Sequence, residues 1–384
     1  MKIGFIAWNP FQIVQFANLF PLFINSDILI IDKGDNLQHF NKKWLNKFGI
    51  RFEYIRQSMI SRIDGVYDAI FFQSPFPLME RITKTRLISL QYGLAKERHN
   101  YGEWRSLADM NLMYGPYSVK RVEHFSPSFS VGNPKFDNWT SYAGSQQRQL
   151  IFNRLKINKE KLVILYMPTW GELGSFDRLS HKLATLTTRY NIIVKMHHNN
   201  DSRFPAWKSN ATKLGFGLIF DGAADQLELL SIADLVVSDF SGAIFDAIYA
   251  QVPVLLFQEN TEEKIGVQKF DCTSLEFARR DEIGYVCNNL EDFEQSVIEA
   301  LNMSHSLVRQ ADLLRTDLFQ ETPTSLSCSA EIHAKTTSLL NNEIPALSAS
   351  QMYVRESVRS LRTIQKELRA ANKKLTKRRR FLIF

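Results

Sequence analysis

Short aliphatic runs alternate with helical segments along this chain, in two successive series. The first series predicts strands at Lys2–Ala7, Asp27–Ile31, Ala69–Gln73, Leu87–Gln91 and Asn111–Tyr114. The second series predicts strands at Leu162–Tyr166, Ile192–Met196, Gly217–Phe220, Leu235–Ser238 and Pro253–Phe257. Continuous apolar runs bounded by turn residues are typical of strands buried on both faces. The alternation therefore predicts parallel sheets covered by helices.

Two such series predict two doubly wound, Rossmann-like domains of the α/β class, facing a cleft. Helices are expected at Pro10–Ile24, Phe176–Tyr190, Asp225–Ala233 and Ile244–Ala250. We place the first domain at 1–145 and the second at 146–325, with the polar stretch Ser141–Gln149 linking them. Because open parallel sheets bind ligands beyond the carboxyl ends of their strands, the residues that follow the strands are the candidates for a site.

The positive charge of the chain is concentrated at its C-terminal end. The net charge is +7, and residues 351–384 hold eleven Lys/Arg against two Asp/Glu, so the other residues sum to −2. A nearly neutral body argues against nucleic-acid binding. After a Ser/Thr-rich linker at 326–350, an apolar stripe predicts an amphipathic helix within 351–384; the stripe is Val354, Val358, Leu361, Ile364, Leu368, Ala371 and Leu375.

Three interpretations of this tail are open. It is a solvated helix with a disordered end, a helix that pairs with a partner through its apolar stripe, or an interfacial helix. In the last case Lys and Arg face anionic lipid and Phe381–Phe384 insert. The +9 charge beside an apolar end favours the interfacial helix.

The compartment is constrained by what the sequence lacks. No apolar run reaches the roughly 20 residues that cross a bilayer. The N-terminal residues are typical of a first strand rather than of a signal peptide. Cys272, Cys287 and Cys328 are odd in number and show no metal-like spacing. These features favour a reducing cytoplasm.

The segment Ser238–Gly242, SDFSG in sequence, stands between a predicted strand and a predicted helix. Free N–H groups and the helix dipole make such a helix start an anion site, and Ser238, Ser241 and Gly242 suit a pyrophosphate. Asp239 and Asp246 would be structural or face a polyol hydroxyl. The alternative is a plain strand-to-helix turn that Asp239 or Ser241 caps.

Two further segments also follow predicted strands. In Met167–Glu172 (MPTWGE), Gly171 lets the chain approach a ligand closely, although a simple loop with a packed Trp170 is the alternative. In Lys195–His198 (KMHH), one histidine facing the cleft would be a general base or a phosphate donor. A loop histidine without function is the alternative. No HxH or HxxxH pattern supports a metal.

Taken in this order, the three segments resemble the CDP-glycerol glycerophosphotransferase family, which includes teichoic acid and capsule polyol-phosphate transferases. Gly132–Asp137 (GNPKFD) is similar to that family's G-x-P-R-x-D element. The resemblance spans roughly residues 85–260. It implies a GT-B fold with an N-terminal acceptor domain and a C-terminal nucleotide-donor domain, and no obligatory metal or cofactor.

The resemblance also implies partners and a location. The donor would be a nucleotide-activated polyol phosphate, of CDP-glycerol type, and the acceptor a lipid-linked or polymeric cell-envelope chain. The protein would be cytoplasmic, peripheral on the inner face of the bacterial plasma membrane. The family's K-x-H-P histidine falls on His197, and its pyrophosphate-binding turn falls on Ser238, Asp239 and Ser241.

Two departures from the family pattern stand out. Family members carry a W-H-G-T-P-x-K element whose histidine is a candidate base. The matching stretch here is Leu90–Lys96 (LQYGLAK), with Tyr92 in the place of that histidine, and His99 is a possible substitute. In addition, K-x-H-P has become Lys195-Met196-His197-His198.

The predicted mechanism is direct displacement at a phosphorus of the donor pyrophosphate. The predicted catalytic residues are His197, His99 and Asp239. The predicted donor-binding residues are Thr169, Trp170, Gly171, Lys195, His198, Asp221, Asp225, Ser238, Ser241 and Gly242. The predicted acceptor residues are Gln91, Tyr92 and Lys96.

Two other functions remain open at this point. A GT-B glycosyltransferase that uses a nucleotide sugar is the nearer one, because the first-domain histidine is lost. A non-catalytic subunit of a capsule assembly complex is the more distant one, because a scaffold needs no nucleotide site.

Overall fold

The computed structural model describes residues 1–222, 224–259, 271–320 and 327–381. The chain forms two compact units. The N-terminal unit comprises Met1–Tyr92, Tyr101–Pro134 and the described residues from 327 onward. The C-terminal unit comprises Gly93–Asn100 and the described residues of 135–320. A short segment, Gly93–Asn100, thus belongs with the C-terminal unit although its flanking residues belong to the N-terminal one.

The N-terminal unit is built on a seven-stranded parallel sheet in the order β3-β2-β1-β4-β5-β6-β7. Its strands are β1 Ile3–Ala7, β2 Ser26–Asp32, β3 Arg51–Arg56, β4 Ala69–Phe72, β5 Arg86–Leu90, β6 Met110–Met113 and β7 Ser128–Ser130. In the register, Ile3 of β1 pairs with Ser26 of β2 on one side and with Ala69 of β4 on the other. The strand order reverses between β1 and β4, as in other doubly wound sheets.

Helices cover the N-terminal sheet and form two apolar clusters with it. They are α1 Pro10–Phe16, α2 Lys42–Asn46, α4 Pro116–Val122, α16 Cys328–Leu340 and α17 Ala349–Phe381, with 3₁₀ turns at Ala17–Leu22, Asp35–His39, Gln57–Ile63, Met79–Arg81 and Glu103–Leu107. Asn9 caps α1 by accepting a hydrogen bond from the Gln12 amide, and Pro10 occupies the first turn. Phe5 of β1 packs against Phe16, Phe20 and Phe71 at the centre of one cluster.

The C-terminal unit is built on a six-stranded parallel sheet in the order β10-β9-β8-β11-β12-β13. Its strands are β8 Val163–Tyr166, β9 Asn191–Lys195, β10 Leu218–Phe220, β11 Leu235–Ser238, β12 Val254–Phe257 and β13 Tyr285–Cys287. Leu235 of β11 pairs with Ile164 of β8, so the switch in strand order lies between these two strands. This is where a doubly wound sheet binds its ligand.

The helices of the C-terminal unit pack on both faces of this sheet. They are α3 Glu97–Asn100, α5 Trp139–Tyr142, α6 Ser145–Leu155, α7 Phe176–Thr185, α8 His198–Arg203, α9 Ala206–Lys213, α10 Gln226–Ile232, α11 Ala243–Tyr249, α12 Leu275–Ala278, α13 Arg280–Ile283, α14 Phe293–Asn302 and α15 Ser304–Leu318. The remaining 3₁₀ turns are Pro134–Phe136, Gly171–Leu173 and Leu186–Thr188. Phe257, Phe293 and Trp207 belong to the apolar cluster on one face.

The prediction of two parallel-sheet α/β domains is confirmed, and each of the ten predicted strands is present within one residue at either end. Three strands were not predicted: β3, β7 and β13. All three lie at sheet edges. Their residues are partly exposed or mixed in polarity, as in the Arg51–Arg56 sequence RFEYIR, so the continuous apolar pattern of a central strand is missing.

Both predicted linkers differ from the structure. Within Ser141–Gln149, α5 ends and α6 begins. Within 326–350, α16 packs Ile332 and Leu339 into the N-terminal core. The Ser/Thr-rich composition does not mark a linker here, because a hydroxyl can donate to a backbone carbonyl of its own helix. Thr336 is fully buried, and its hydroxyl donates to the Ile332 carbonyl at 2.7 Å.

The predicted basic tail helix is confirmed as α17. Its first turns are anchored to the N-terminal unit, where Val358 is buried and Arg355 donates to the Ser106 and Ala108 carbonyls and pairs with Asp109. Further along, the apolar stripe is exposed: Leu361, Ile364, Leu368 and Leu375 are 56–59% accessible. None of the described helices has the length and hydropathy to span a bilayer. Residues 382–384 of the predicted insertion lie outside the described residues.

Candidate active site

Asp239 organises the carboxyl edge of the C-terminal sheet. It follows β11 and is buried, and its carboxylate accepts hydrogen bonds from the Thr169 amide and from the amide and hydroxyl of Ser175, each at 2.8 Å. Burial raises the pKa of Asp239, and these hydrogen bonds oppose that rise. Since both oxygens are engaged, Asp239 fixes the loop between β8 and α7, and its predicted catalytic role stays a prediction.

Ser238 supports the same loop from the end of β11. Its hydroxyl donates to the Met167 carbonyl at 2.6 Å, which ties it to the chain rather than to a ligand. The loop turns at Gly171, whose φ of +70° favours glycine. Thr169 is buried at the end of β8, and its hydroxyl has no hydrogen-bond partner among the described residues. The Thr169 hydroxyl is therefore a buried polar group of this loop that a ligand can engage.

The start of α11 carries the other half of the SDFSG segment. The Ser241 hydroxyl is buried and accepts from the Ala243 amide at 3.3 Å, in the turn before α11, whose N-cap residue is Gly242. One turn on, Asp246 pairs with Lys135 at 2.6 Å and accepts from Gln226 at 3.0 Å. This ion pair joins the GNPKFD element to the SDFSG helix, which explains why the two motifs occur together.

Lys195 is the last residue of β9, and His197 and His198 follow the strand. The Nδ1 atom of His197 accepts a hydrogen bond from the Asn199 amide at 3.1 Å and so caps α8. Burial, followed by the charges of His198, Lys96 and Lys195, holds the pKa of His197 well below its usual value. A neutral imidazole that accepts at Nδ1 carries its proton on Nε2. His197 is therefore arranged as a hydrogen-bond donor rather than as the predicted base.

The ring of His198 stacks on His197 with centroids 4.2 Å apart. Burial lowers the pKa of His198 to about 4, and the charges of Lys195 and Lys96 add to this effect. Gly222 packs against the His198 backbone so closely that an added Cβ would lie 2.4 Å from the His198 Cα atom. The centroid of the Trp170 ring lies 6.3 Å from that of the His197 ring. The guanidinium group of Arg203 lies over the Trp170 ring, 4.6 Å from its centroid.

The predicted nucleotide-binding aspartates follow β10. Asp225 caps α10 by accepting from the Leu227 amide at 3.0 Å, and its other oxygen accepts from the Tyr142 hydroxyl at 2.7 Å. These contacts give Asp225 a structural role, and its predicted nucleotide-binding role stays a prediction. Asp221 is half-buried beside Gly222, and its predicted role stays a prediction.

The predicted acceptor residues belong to different units: Gln91 and Tyr92 to the N-terminal one, Lys96 to the C-terminal one. Gln91 is fully buried in the N-terminal unit, where its amide donates to the Ser118 hydroxyl and its carbonyl oxygen accepts from the Tyr114 amide. Gln91 is thus a structural residue. Tyr92 packs edge-on against Phe11, and burial raises the pKa of its phenol, so it is neutral and cannot replace a histidine as base. Lys96 and the exposed His99 belong to the C-terminal unit.

Lys96 brings a further cation to the histidines. Burial lowers the pKa of its ammonium group, and the charges of Glu276 and Asp239 oppose this shift. Two lysines, Lys96 and Lys195, therefore act electrostatically on His197 and His198. Two cations beside two neutral histidines suit an anionic ligand such as a pyrophosphate.

Sequence reasoning missed Glu276 and Arg280. Arg280 is buried; it donates to the carbonyls of Asp239 and Glu276, both at 3.0 Å, and stacks on Phe240. Burial lowers the pKa of Arg280 to about 10 and raises that of Glu276 to about 7. No motif marks either residue. Only the fold brings them to Asp239, although the run Ser274–Arg280 after a segment of charged residues was a weak signal.

Within the ranges that the structure describes, no group of three or more His, Cys, Asp or Glu side chains is arranged to hold a metal ion.

The fold is that of two-domain enzymes built from Rossmann-like sheets. Similar solved structures include the wall teichoic acid polymerase TagF, with a TM-score of 0.61 and 15% identity over 89% of both chains. A putative UDP-N-acetylglucosamine 2-epimerase from Listeria monocytogenes gives a TM-score of 0.60 and 15% identity, covering 90% of this chain and 98% of the other. HepE from Anabaena, in complex with UDP and glucose, gives 0.53 and 13%, covering 89% and 100%. At these identities the likeness shows the fold.

The sequence comparisons match part of the chain to one family. Residues 117–278 match the model of the CDP-Glycerol:Poly(glycerophosphate) glycerophosphotransferase family, a family of transferases, which confirms the resemblance read from the motifs. A teichoic acid poly(glycerol phosphate) polymerase of Bacillus subtilis is 28% identical over 141 residues, or 34% of this chain and 18% of that protein. Its counterpart in Bacillus spizizenii is 26% identical over 173 residues, 42% of each chain. The matches thus span less than half the length of these relatives.

Proposed function

We propose that this protein transfers a glycerol-phosphate or similar polyol-phosphate unit from a CDP-activated donor to a membrane-linked cell-envelope polymer. The observation that carries the proposal is the group formed by Lys96, Lys195 and the two stacked histidines, together with the SDFSG turn of the same unit. This group lies inside a unit whose sequence matches a glycerophosphotransferase family model. The polymerase relatives suggest a teichoic acid or capsule type of acceptor.

The chemistry is a displacement at the phosphorus that carries the polyol. The acceptor oxygen forms a new P–O bond, the bond to the bridging pyrophosphate oxygen breaks, and CMP leaves. Lys96 and Lys195 offset the charge of the phosphates, and the Nε2–H group of His197 donates to a phosphate oxygen. The acceptor proton goes to a base, for which the exposed His99 is the remaining candidate of the two predicted histidines.

The function is tested by turnover and binding together. Purified protein is given CDP-glycerol and a lipid-linked glycerol-phosphate acceptor, and CMP release is measured for the wild type, His197→Ala and His181→Ala. His181 is an exposed histidine of α7 away from the group, so it is the matched control. We expect His197→Ala to lower the rate at least about a hundredfold, as loss of a transition-state donor does. A wild type that releases no CMP but binds donor would favour the non-catalytic subunit.

A sugar-nucleotide glycosyltransferase is the second candidate. It is favoured by Tyr92, whose neutral phenol stands where the family's histidine is expected. The HepE neighbour shows that the same fold occurs with UDP and glucose bound. Competition among CDP-glycerol, CDP-ribitol, CMP, UDP and UDP-sugars separates the two, because tighter binding of a uridine nucleotide would support the glycosyltransferase.

The exposed part of α17 is proposed to bind an anionic membrane surface from the cytoplasmic side. Leu361, Ile364 and Leu368 form one exposed apolar face, and Arg362, Lys366 and Arg369 lie to one side of it. Each basic residue near an anionic surface contributes about 1 kcal/mol, which salt weakens. An excess of basic residues disfavours pairing of this helix with a second copy.

Vesicle sedimentation tests this surface. We expect binding to vesicles that contain phosphatidylglycerol and little binding to pure phosphatidylcholine. Leu368→Ser should weaken it, whereas Leu313→Ser, an 84% exposed position of α15, should not. Equal binding to both vesicle types, or a wild-type dimer that Leu368→Ser dissociates, would contradict the membrane assignment.

A further inference from the structure

The segment Gly93–Asn100 is held in the C-terminal unit through three successive backbone amides. The Lys96 amide donates to Glu276 Oε1 at 2.7 Å, the Glu97 amide to the Ser274 hydroxyl at 3.0 Å and the Arg98 amide to Asp271 at 3.1 Å. Amides at the start of a helix have no partner inside it. Side chains about 175 residues further along the chain therefore fix this segment in one position.

The conformation of Lys96 depends on this attachment. Its φ is +59°, a left-handed conformation that is unfavourable for a residue with a side chain. The preceding residue, Ala95, lies against the start of α11, since a Cβ on Gly242 would be 3.5 Å from the Ala95 Cβ. The segment thus lies at the SDFSG turn, with the charge of Lys96 acting on His197 and His198.

Glu276 is an unusual residue for this position. Its side chain is completely buried, one oxygen binds the Lys96 amide, and Oε2 has no hydrogen-bond partner among the described residues. Arg280 bonds to the backbone carbonyl of Glu276 and not to its carboxyl group. A buried carboxyl group with an unsatisfied oxygen is costly. The hydrogen bond from the Lys96 amide is the contact that joins this side chain to the segment Gly93–Asn100.

We propose that Glu276 is a positioning residue that holds Lys96 in the C-terminal unit as a ligand of the donor's pyrophosphate. This assignment rests on the proposed function. It replaces the predicted role of Lys96 as an acceptor-binding residue with a role in binding the donor. Lys96 supplies the charge, and Glu276 acts on the ligand through Lys96, whose amide it binds and whose ammonium charge it supports.

Calorimetric titration of four variants tests the proposal. CDP-glycerol and inorganic pyrophosphate are titrated into the wild type, Lys96→Ala, Glu276→Ala, Glu276→Gln and the double variant Lys96→Ala/Glu276→Ala. Glu282→Ala is the control, because Glu282 pairs with Arg279 at the surface of the same region.

We expect Lys96→Ala and Glu276→Ala each to weaken both ligands at least about tenfold, the effect of one charge-assisted contact. The double variant should lose no more than Lys96→Ala alone, because Glu276 acts through Lys96. Glu276→Gln keeps an oxygen that accepts from the Lys96 amide, so it should bind within about threefold of the wild type. A purely structural role would instead give additive losses without rescue by glutamine.

The outcomes separate this proposal from the proposed function. If CDP-glycerol binds the wild type and the Lys96→Ala variant equally well, Lys96 is not a pyrophosphate ligand, and CDP-glycerol remains the proposed donor. If pyrophosphate binds and CDP-glycerol does not, and if pyrophosphate binding needs Lys96 and Glu276, then CDP-glycerol is rejected as the donor and Lys96 remains the pyrophosphate ligand. If neither ligand binds the wild type, both are rejected.

Discussion

At the scale of single residues, Asp239 shows how a motif residue can hold a neighbouring loop in place. Its carboxylate gathers Thr169 and Ser175 from the loop after β8. The SDFSG pattern marked the right place, but the sequence could not tell a catalytic aspartate from one that organises a neighbouring loop. The difference lies in which N–H groups reach the carboxylate, and the fold decides that.

Asp239→Asn should lower the free energy of unfolding by about 1–3 kcal/mol, because one acceptor oxygen becomes an NH₂ group that faces another donor. Denaturant unfolding followed by far-UV circular dichroism measures this. Glu172→Gln, an exposed carboxyl in the same loop, is the control and should be near neutral. Equal stability of Asp239→Asn and the wild type would mean that the carboxylate does not hold the loop.

Glu276 makes a prediction about pH. Its folded pKa of about 7 exceeds the ordinary value of 4.5, chiefly because of burial, with Asp271 adding to the rise and the Lys96 charge and amide opposing it. The folded state therefore binds the proton more tightly than the unfolded one, so stability is lost as the pH rises toward 7. Glu276→Gln cannot ionise. It should match the wild type near pH 4 and exceed it by up to about 3 kcal/mol at pH 8. A difference in unfolding free energy between Glu276→Gln and the wild type that stays the same from pH 4 to pH 8 would contradict this prediction.

At the scale of elements, the central strands were predictable, whereas three of the four edge strands were not. Runs such as Leu235–Ser238 are buried throughout, so composition alone reveals them. At the edges, β3 alternates Arg and Glu with aromatics because one side of it meets solvent. Helix α16 was hidden for the opposite reason, since buried Ser329 and Thr336 give a helix of the core the composition of a linker.

The position of α16 in the N-terminal core is testable. Ile332 is fully buried, so Ile332→Ala should cost about 2–5 kcal/mol of unfolding free energy. Leu313→Ala in α15 is the matched control at an exposed site and should cost less than about 0.5 kcal/mol. A similar small effect for both would show that α16 is not part of the core.

At the scale of the whole molecule, the three motifs found in the sequence come together because parallel strands end at one edge of a sheet. Thr169, His197 and Ser241 follow β8, β9 and β11, which are neighbours in the order of the C-terminal sheet. Glu276, Arg280 and the placement of Lys96 could not be predicted in this way. Their contacts join segments up to 180 residues apart, and no local pattern records such a contact.

The central claim is that the C-terminal unit binds a cytidine-activated polyol phosphate through its lysines and histidines. Calorimetric titration of the full chain with CDP-glycerol, alongside UDP-sugars, tests it most directly. We expect micromolar binding of CDP-glycerol that prefers cytidine over uridine and that weakens at least about tenfold in Lys195→Ala. Tighter binding of a uridine sugar nucleotide, or CDP-glycerol binding that Lys195→Ala leaves unchanged, would contradict the account.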